Sequence, residues 1–165
     1  MIPTIDTWSY PLRLMTAFFL VVLSIGFFTG IRFVSETDST SPDGLVEHYN
    51  GNEQVEDVMV MKFKKSAQEM LTIVHTHILS MSMLFFLTGF LLAQTSINQH
   101  LKLFLIIEPF VSILLTFGGL YIIWFGFEWF RYVVIFSGVA MTLAYSAAVI
   151  IILKHLRLFK SGFAH

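Results

Sequence analysis

Four long apolar runs constrain this chain more than any other feature of its sequence. Each run is about as long as the roughly 20 residues that an α-helix needs to cross the hydrocarbon core of a bilayer. None of them alternates with period 2, the pattern of a transmembrane barrel strand, so we predict helices. The predicted spans cover about 14–33, 70–93, 103–127 and 132–153.

The composition supports the same interpretation. Only 13% of the residues are charged and 56% are hydrophobic, whereas a soluble domain carries roughly 25% charged residues. Four crossings and their connections use nearly all of the 165 residues, so we expect residues 1–165 to form a single four-span membrane domain. The chain contains no cysteine, which excludes disulfides, thiol catalysis and thiolate metal sites.

The connections between the runs predict their order in the membrane. Two connections are short, and short connections join antiparallel neighbours. The first connection, about 35–66, is long and polar, with a turn expected at Ser41–Gly44. The first run lacks the small-residue cleavage pattern of a signal peptide, so we interpret it as a retained span. The predicted fold is therefore an all-α integral membrane protein, an antiparallel four-helix transmembrane bundle with one long extramembrane loop between the first two spans.

The charges flanking the spans bear on the orientation. Five Lys or Arg residues fall on each side of the predicted membrane, so the positive-inside rule does not decide by count. The tail at Lys154–Lys160 is basic and directly follows a span, and the long loop is acidic. Both features favour termini in the cytoplasm, and we expect the location to be a bacterial inner membrane. The acidic loop residues are Glu36, Asp38, Asp43, Glu47, Glu53, Glu56 and Asp57.

The second run carries the most polar side chains, and polar groups inside a membrane are costly enough to indicate function. His75 and His77 lie near its start with Glu69, and His48 in the long loop lies on the same side of the membrane. Histidine ligands suit zinc, copper, iron or nickel, so His48, His75 and His77 are the candidate metal ligands. Because His75 and His77 are two residues apart on a helix, they do not face each other.

Two other cofactors suit the same residues. A haem would take His75 or His77 together with a loop ligand such as His48, or would use a single axial ligand. A quinone would hydrogen-bond to one of these histidines and to Glu69, which exchange protons with it. The candidate cofactor-binding residues are His75, His77, His48 and Glu69, and the cofactor stays open between haem, a transition metal and quinone. The structural alternative is that both histidines simply bond to a neighbouring helix.

A carboxylate in the third run is the second unusual polar position. Glu108 precedes Pro109 several residues inside the span, and Pro109 removes one helical hydrogen bond. We expect a neutral Glu108 to donate a hydrogen bond to Tyr145, which lies at a similar depth, or Arg13 to pair with Glu108. The functional interpretation is a proton-handling carboxylate. The structural one is a hydrogen bond that fixes a kinked span.

Together these residues favour a small integral membrane subunit or accessory protein of a redox or cofactor-handling system. One alternative is a cofactor-free structural or assembly protein. Its contacts, inside the bundle or with a partner, would use the small residues that let helices approach closely. Another is a transporter or channel element that uses Glu108. The expected partners are the lipid bilayer, larger membrane subunits or a second copy, and no nucleic acid. The small residues are Gly26, Gly30, Ala140, Ala144 and Ala148.

Overall fold

A computed structural model describes residues 4–37, 39–53, 60–156 and 158 of the chain. It confirms the predicted fold class, because the described residues contain four antiparallel helices long and apolar enough to cross a membrane. Five residues used above for the charge pattern, Asp38, Glu56, Asp57, Arg157 and Lys160, lie outside the described part. The helices are α1 (Tyr10–Glu36), α2 (Pro42–Asn50), α3 (Ala67–Ala93), α4 (Gln99–Ile113), α5 (Gly119–Trp124) and α6 (Arg131–His155).

The third span is one continuous rod made of three pieces. A π-helical turn, Leu114–Gly118, joins α4 to α5, so that the whole span runs from Gln99 to Trp124. Pro109 lies inside α4 without ending it. The irregular turn begins five residues later. Wide turns of this kind inside α-helices occur frequently at functional positions.

The third span packs at the centre of the bundle between α3 and α6. Gly119 permits a close approach to α6, because a Cβ there would lie 2.6 Å from Cγ2 of Val134. On α6, Ala144 and Ala148 are buried. The α1 helix is peripheral. The residues that it buries are Thr16, Ala17, Leu20 and Phe27, and the ring of Phe27 stacks on Tyr145 at 4.1 Å.

The glycines of α1 do not serve a contact inside the bundle, which was one of the two uses expected of them. Gly26 and Gly30 are exposed, and a Cβ at either would meet no atom within 4 Å. Small residues in a transmembrane helix allow close backbone approach only where another helix lies opposite. Within the described chain no helix does so at these two positions.

The third span ends at Trp124, three residues before its predicted limit at Phe127. Gly126 adopts φ +101°, and its N–H donates to the carbonyl of Ile123 at 2.8 Å. The N–H of Phe127 donates to the carbonyl of Ile122 at 3.3 Å. This pair of bonds around a left-handed glycine is the Schellman motif that closes many helices.

The long loop contains a helix where the sequence indicated a turn at Ser41–Gly44. Ser41 is the N-cap of α2, and its hydroxyl accepts from the N–H of Gly44 at 3.0 Å. Pro42 follows as the first helical residue, a position where its missing N–H costs nothing. The turn prediction was wrong because Ser-Pro-Asp-Gly also fits a helix start, and α2 is held by packing against α5 and α6.

Candidate functional site

The start of α3 fixes where the predicted site residues lie. Ser66 and Glu69 form a capping box, in which the N–H of Ser66 donates to Oε2 of Glu69 at 2.7 Å and the N–H of Glu69 donates to the Ser66 hydroxyl at 3.3 Å. Such reciprocal bonds satisfy free backbone donors at a helix start. The carboxylate of Glu69, a predicted cofactor contact, is therefore engaged in capping the start of the helix, and its side chain is exposed.

His77 is held in one orientation by two contacts. Its Nδ1 lies 2.7 Å from the carbonyl oxygen of Ile73, and its ring stacks on Phe117 of the third span at 4.8 Å and 24°. A carbonyl oxygen only accepts, so Nδ1 is the donor in this bond, and in the neutral ring Nε2 carries the lone pair. Histidines that bind metals are commonly oriented this way, with the other ring nitrogen bonded to a backbone carbonyl.

His75 and His48 lie apart from this arrangement. His75 is exposed on α3 and makes no hydrogen bond to any described residue. His48 lies in the last turn of α2, edge-on to Tyr49 with ring centroids 4.9 Å apart. No group of three or more histidine and carboxylate side chains among the described residues is placed to hold a metal ion. The structure therefore does not gather His48, His75 and His77 into one ligand set.

The electrostatics around His48 oppose its protonation. Partial burial lowers the pKa of His48 below its ordinary value of 6.5, and the charges of Lys65 and Lys62 lower it further. Burial also raises the pKa of the neighbouring Tyr49 to about 12. Neutral His48 keeps a lone pair for binding, but its helix packs against α5 and α6.

The long loop forms a cap over the end of the third span, which we call the loop cap (Asn50, Lys64 and Lys65). The side-chain amide of Asn50 donates to the carbonyl of Ile123 at 2.8 Å, and Nζ of Lys64 donates to that of Trp124 at 2.9 Å. In return, the indole N–H of Trp124 donates to the carbonyl of Lys65 at 2.8 Å. A lysine at this end also complements the helix dipole.

Gly51 makes the loop cap possible. It has φ +80°, and a Cβ there would lie 2.7 Å from the backbone nitrogen of Lys64 and 2.8 Å from the carbonyl oxygen of Lys62. Asn52 is buried next to it. Its side-chain amide accepts a hydrogen bond from the N–H of Lys62 at 2.7 Å and donates one to the carbonyl of Val60 at 3.1 Å. Asn50, Gly51 and Asn52 therefore do more than reverse the chain, and no pattern in the local sequence indicates these contacts.

A second polar arrangement lies inside the bundle, and we call it the polar column (Glu108, Ser112, Thr116 and Ser137). The Ser112 hydroxyl donates a short hydrogen bond to Oε1 of Glu108. One turn further, the hydroxyls of Thr116 and Ser137 bond at 2.7 Å between the third span and α6. Oε2 of Glu108 is enclosed and has no hydrogen-bond partner among the described residues.

The expected partners of Glu108 are engaged elsewhere. The Tyr145 hydroxyl bonds to the Ser24 hydroxyl of α1 at 3.0 Å instead of to Glu108. The guanidinium of Arg13 donates to the carbonyl of Leu156 at 3.1 Å, at the end of α6. Both corrections have one cause. Each side chain meets a partner at its own depth on an adjacent helix before it can extend to the third span.

Comparison with known proteins identifies the family to which the chain belongs. The chain belongs to the Aq_1264_TM family, a transmembrane helical domain, which matches residues 39–161. That range contains α2, α3, the third span and α6 but not α1. No curated protein and no solved structure matches the chain.

Proposed function

We propose that this chain is a subunit of a larger membrane assembly in a redox or cofactor-handling system, and that His77 binds a metal centre held between it and a neighbouring subunit. The observation that carries the proposal is the outer face of α3. His77 lies ten residues after the first residue of the helix, about 15 Å along its axis. That depth is well inside a span, yet the histidine is exposed at the surface of the bundle.

The other polar residues on the exposed surface of α3 support a covering partner. Thr72 bonds only to the carbonyl of Gln68 in its own helix, and Ser80 only to that of His77. Thr76 and His75 make no hydrogen bond to any described residue. Polar side chains in a membrane almost always face a bundle interior or a cavity. A neighbouring subunit or a second copy would place these residues inside such an interior.

The state of the His77 ring favours a metal over a quinone. In the neutral ring the N–H on Nδ1 bonds to the carbonyl of Ile73, which leaves no donor for a quinone carbonyl. The free lone pair on Nε2 suits iron, copper or zinc. Because the described residues supply no set of three ligands, the centre would be a haem with His77 as an axial ligand or an ion that shares ligands with the partner.

The test is to isolate the chain from its native membrane in mild detergent and to measure its assembly size, absorption spectrum and metal content. We expect a complex larger than one chain with a Soret band or bound metal, and His77→Ala to lose the cofactor. The matched control is His100→Ala, an exposed histidine at the start of α4. A colourless, metal-free single chain would overturn the proposal, as would His77→Ala with unchanged cofactor content.

The location proposed with this function is a bacterial inner membrane with both termini in the cytoplasm. The basic residues after α6 and the acidic long loop support that orientation. Because the chain has no cysteine, a single Thr40→Cys gives a unique label in the loop. A membrane-impermeant maleimide added to intact cells should modify it. Modification only after the membrane is opened would reverse the orientation.

A further inference from the structure

We propose that Glu108 is a proton-binding site inside the membrane, with Ser112, Thr116 and Ser137 forming a line of hydroxyls that leads from it toward the long-loop side. This inference does not depend on the metal centre proposed for His77. It uses different residues in a different part of the bundle. Phe117, the ring partner of His77, lies nine residues after Glu108, about 13 Å along the helix axis.

The first argument is the absence of a compensating cation. Glu108 lies nine residues after Gln99 in the third span, about 13 Å from the start of the helix. No Lys, Arg or His of the described chain forms an ion pair with it. An ionised carboxylate in an apolar interior costs far more free energy than a protonated one unless it is paired. A proton on Oε2 removes that cost.

The second argument is the shape of the site. Oε1 accepts from Ser112, while Oε2 is enclosed and unpartnered among the described residues. Pro109 has no N–H, so the carbonyl of Leu105 lacks its usual helical donor. Side chains on a helix lean toward its N-terminus, which directs Glu108 toward that turn. The enclosed and unpartnered Oε2 is the atom on which we infer that the proton is held.

The third argument is the line of hydroxyls. Glu108, Ser112 and Thr116 are four residues apart and share one face of the third span. Ser112, Thr116 and Ser137 are all buried, with Ser137 only 1% exposed. Thr116 lies in the π-helical turn, where the wider backbone spacing disturbs the regular pairing of carbonyls. Hydroxyl groups both donate and accept. Among the described residues the line consists of two hydrogen-bonded pairs one helical turn apart, Ser112 with Glu108 and Thr116 with Ser137.

None of the other titratable groups that the structure describes on α3 and α6 forms a hydrogen bond or an ion pair with Glu108. On α6, Tyr145 bonds to Ser24, His155 bonds to the carbonyl of Ile151, and Lys154 is exposed. On α3, His77 bonds to Ile73, His75 is exposed, and Glu69 caps its own helix. Binding forms one O–H bond on Oε2 and breaks one in the hydronium donor, and no electron is transferred.

Infrared spectroscopy of the full chain in lipid nanodiscs tests the proposal. At neutral pH we expect the carbonyl band of a protonated carboxyl group, which shifts in heavy water and is lost in Glu108→Gln. Glu128→Gln is the matched control, because Glu128 is exposed outside α5 and α6. Absence of the band from the wild-type chain, or its survival in Glu108→Gln, would overturn the proposal.

Two further measurements keep the result interpretable if Glu108→Gln does not fold. Ser112→Ala retains the carboxyl group but removes its hydrogen-bond donor, so the band should move in frequency, and an unmoved band would contradict the geometry. Dicyclohexylcarbodiimide should modify Glu108 in preference to Glu128, since the reagent attacks protonated carboxyls in apolar surroundings. If sodium ions abolish both the band and the labelling, the ligand is a metal cation and the proposal of a proton site fails.

Discussion

The surface of α3 and the inner face of the third span both carry polar groups. Those of α3 are exposed, whereas those of the third span are buried. On α3, His75, Thr76 and His77 lie on the outside of the bundle. In the third span, Ser112 and Thr116 lie inside it, and Thr116 bonds directly to α6. Buried residues make up 17% of the most apolar stretch of α3 and 39% of that of the third span.

Buried and exposed polar groups of a membrane protein are stabilised in different ways. A polar group that finds its partner within the chain stabilises the bundle or carries chemistry inside it. A polar group that the chain leaves on a membrane surface is stable only when something else covers it. This difference supports the proposals that the outer face of α3 serves assembly and that the polar column is a site of the chain itself. Substitutions on the two faces should differ in what they disturb.

The largest expected loss of stability comes from Gly119→Val, which fills a close contact between the third span and α6. The added side chain would displace Val134 and Phe130, whose atoms lie 2.6 and 2.9 Å from the position of a Cβ. Overpacking of this kind costs about 1–3 kcal/mol. Thermal unfolding in detergent, followed by circular dichroism, should show a lower midpoint.

Gly138→Val is the matched control for that substitution. It introduces the same side chain into α6, but a Cβ at Gly138 would meet no atom within 4 Å. Both variants replace a helical glycine by valine, so their difference isolates the packing. Equal midpoints for the two variants would show that the third span and α6 are not in close contact at Gly119.

The next effect is smaller and addresses the hydrogen bond of the polar column. Thr116→Val leaves the Ser137 hydroxyl without its inter-helix partner, and Ser137→Ala does the reverse. Each change should cost roughly 1 kcal/mol, and the coupling in a double-mutant cycle should be about 0.6 kcal/mol, as for other membrane pairs. Thr76→Val on the outer face of α3 should leave the stability of the isolated chain unchanged. A Thr76→Val loss equal to that of Thr116→Val would break the comparison.

The sequence predicted where the polar residues of the two faces lie, but not which groups they bond to. Apolar runs show spans directly, and the positions of Glu108 and the histidines follow from them. The partner of each polar group does not follow, because it depends on the rotation of one helix against another. Thr116 and Ser137 are 21 positions apart in the chain, and neither stands out within an apolar run. The spacing of Glu108, Ser112 and Thr116 was the readable signal of a shared face.

The long loop shows the same difference between local signals, which the sequence displays, and long-range contacts, which it does not. Gly126 ends the third span, and a glycine between aromatic residues could have indicated that end. The loop cap could not be anticipated in the same way, because Asn50 and Lys64 meet carbonyls about 60 to 70 positions later in the chain. Such contacts arise from tertiary packing, which overrides the turn signals of the loop.

The smallest expected effect is a pH dependence confined to the loop. His48 has a lowered pKa in the folded chain, so the unfolded loop binds the proton more readily. Its contribution to stability is complete above the ordinary value of 6.5 and is lost as the pH falls from there through the lowered folded value. Protonation also adds a charge near Lys65 and Lys62, which should loosen α2 from α5 and α6.

Hydrogen exchange measured on either side of this range tests that dependence and sharpens the comparison. Amide exchange in α2, corrected for the intrinsic effect of pH, should accelerate at acid pH, and His48→Gln should remove the acceleration because glutamine does not titrate. The amides of α3 should keep their protection throughout, since no side chain of α3 bonds to the loop cap in the described structure. Equal loss of protection in α2 and α3 would mean that acid loosens the whole bundle, and the loop cap would then have no independent response.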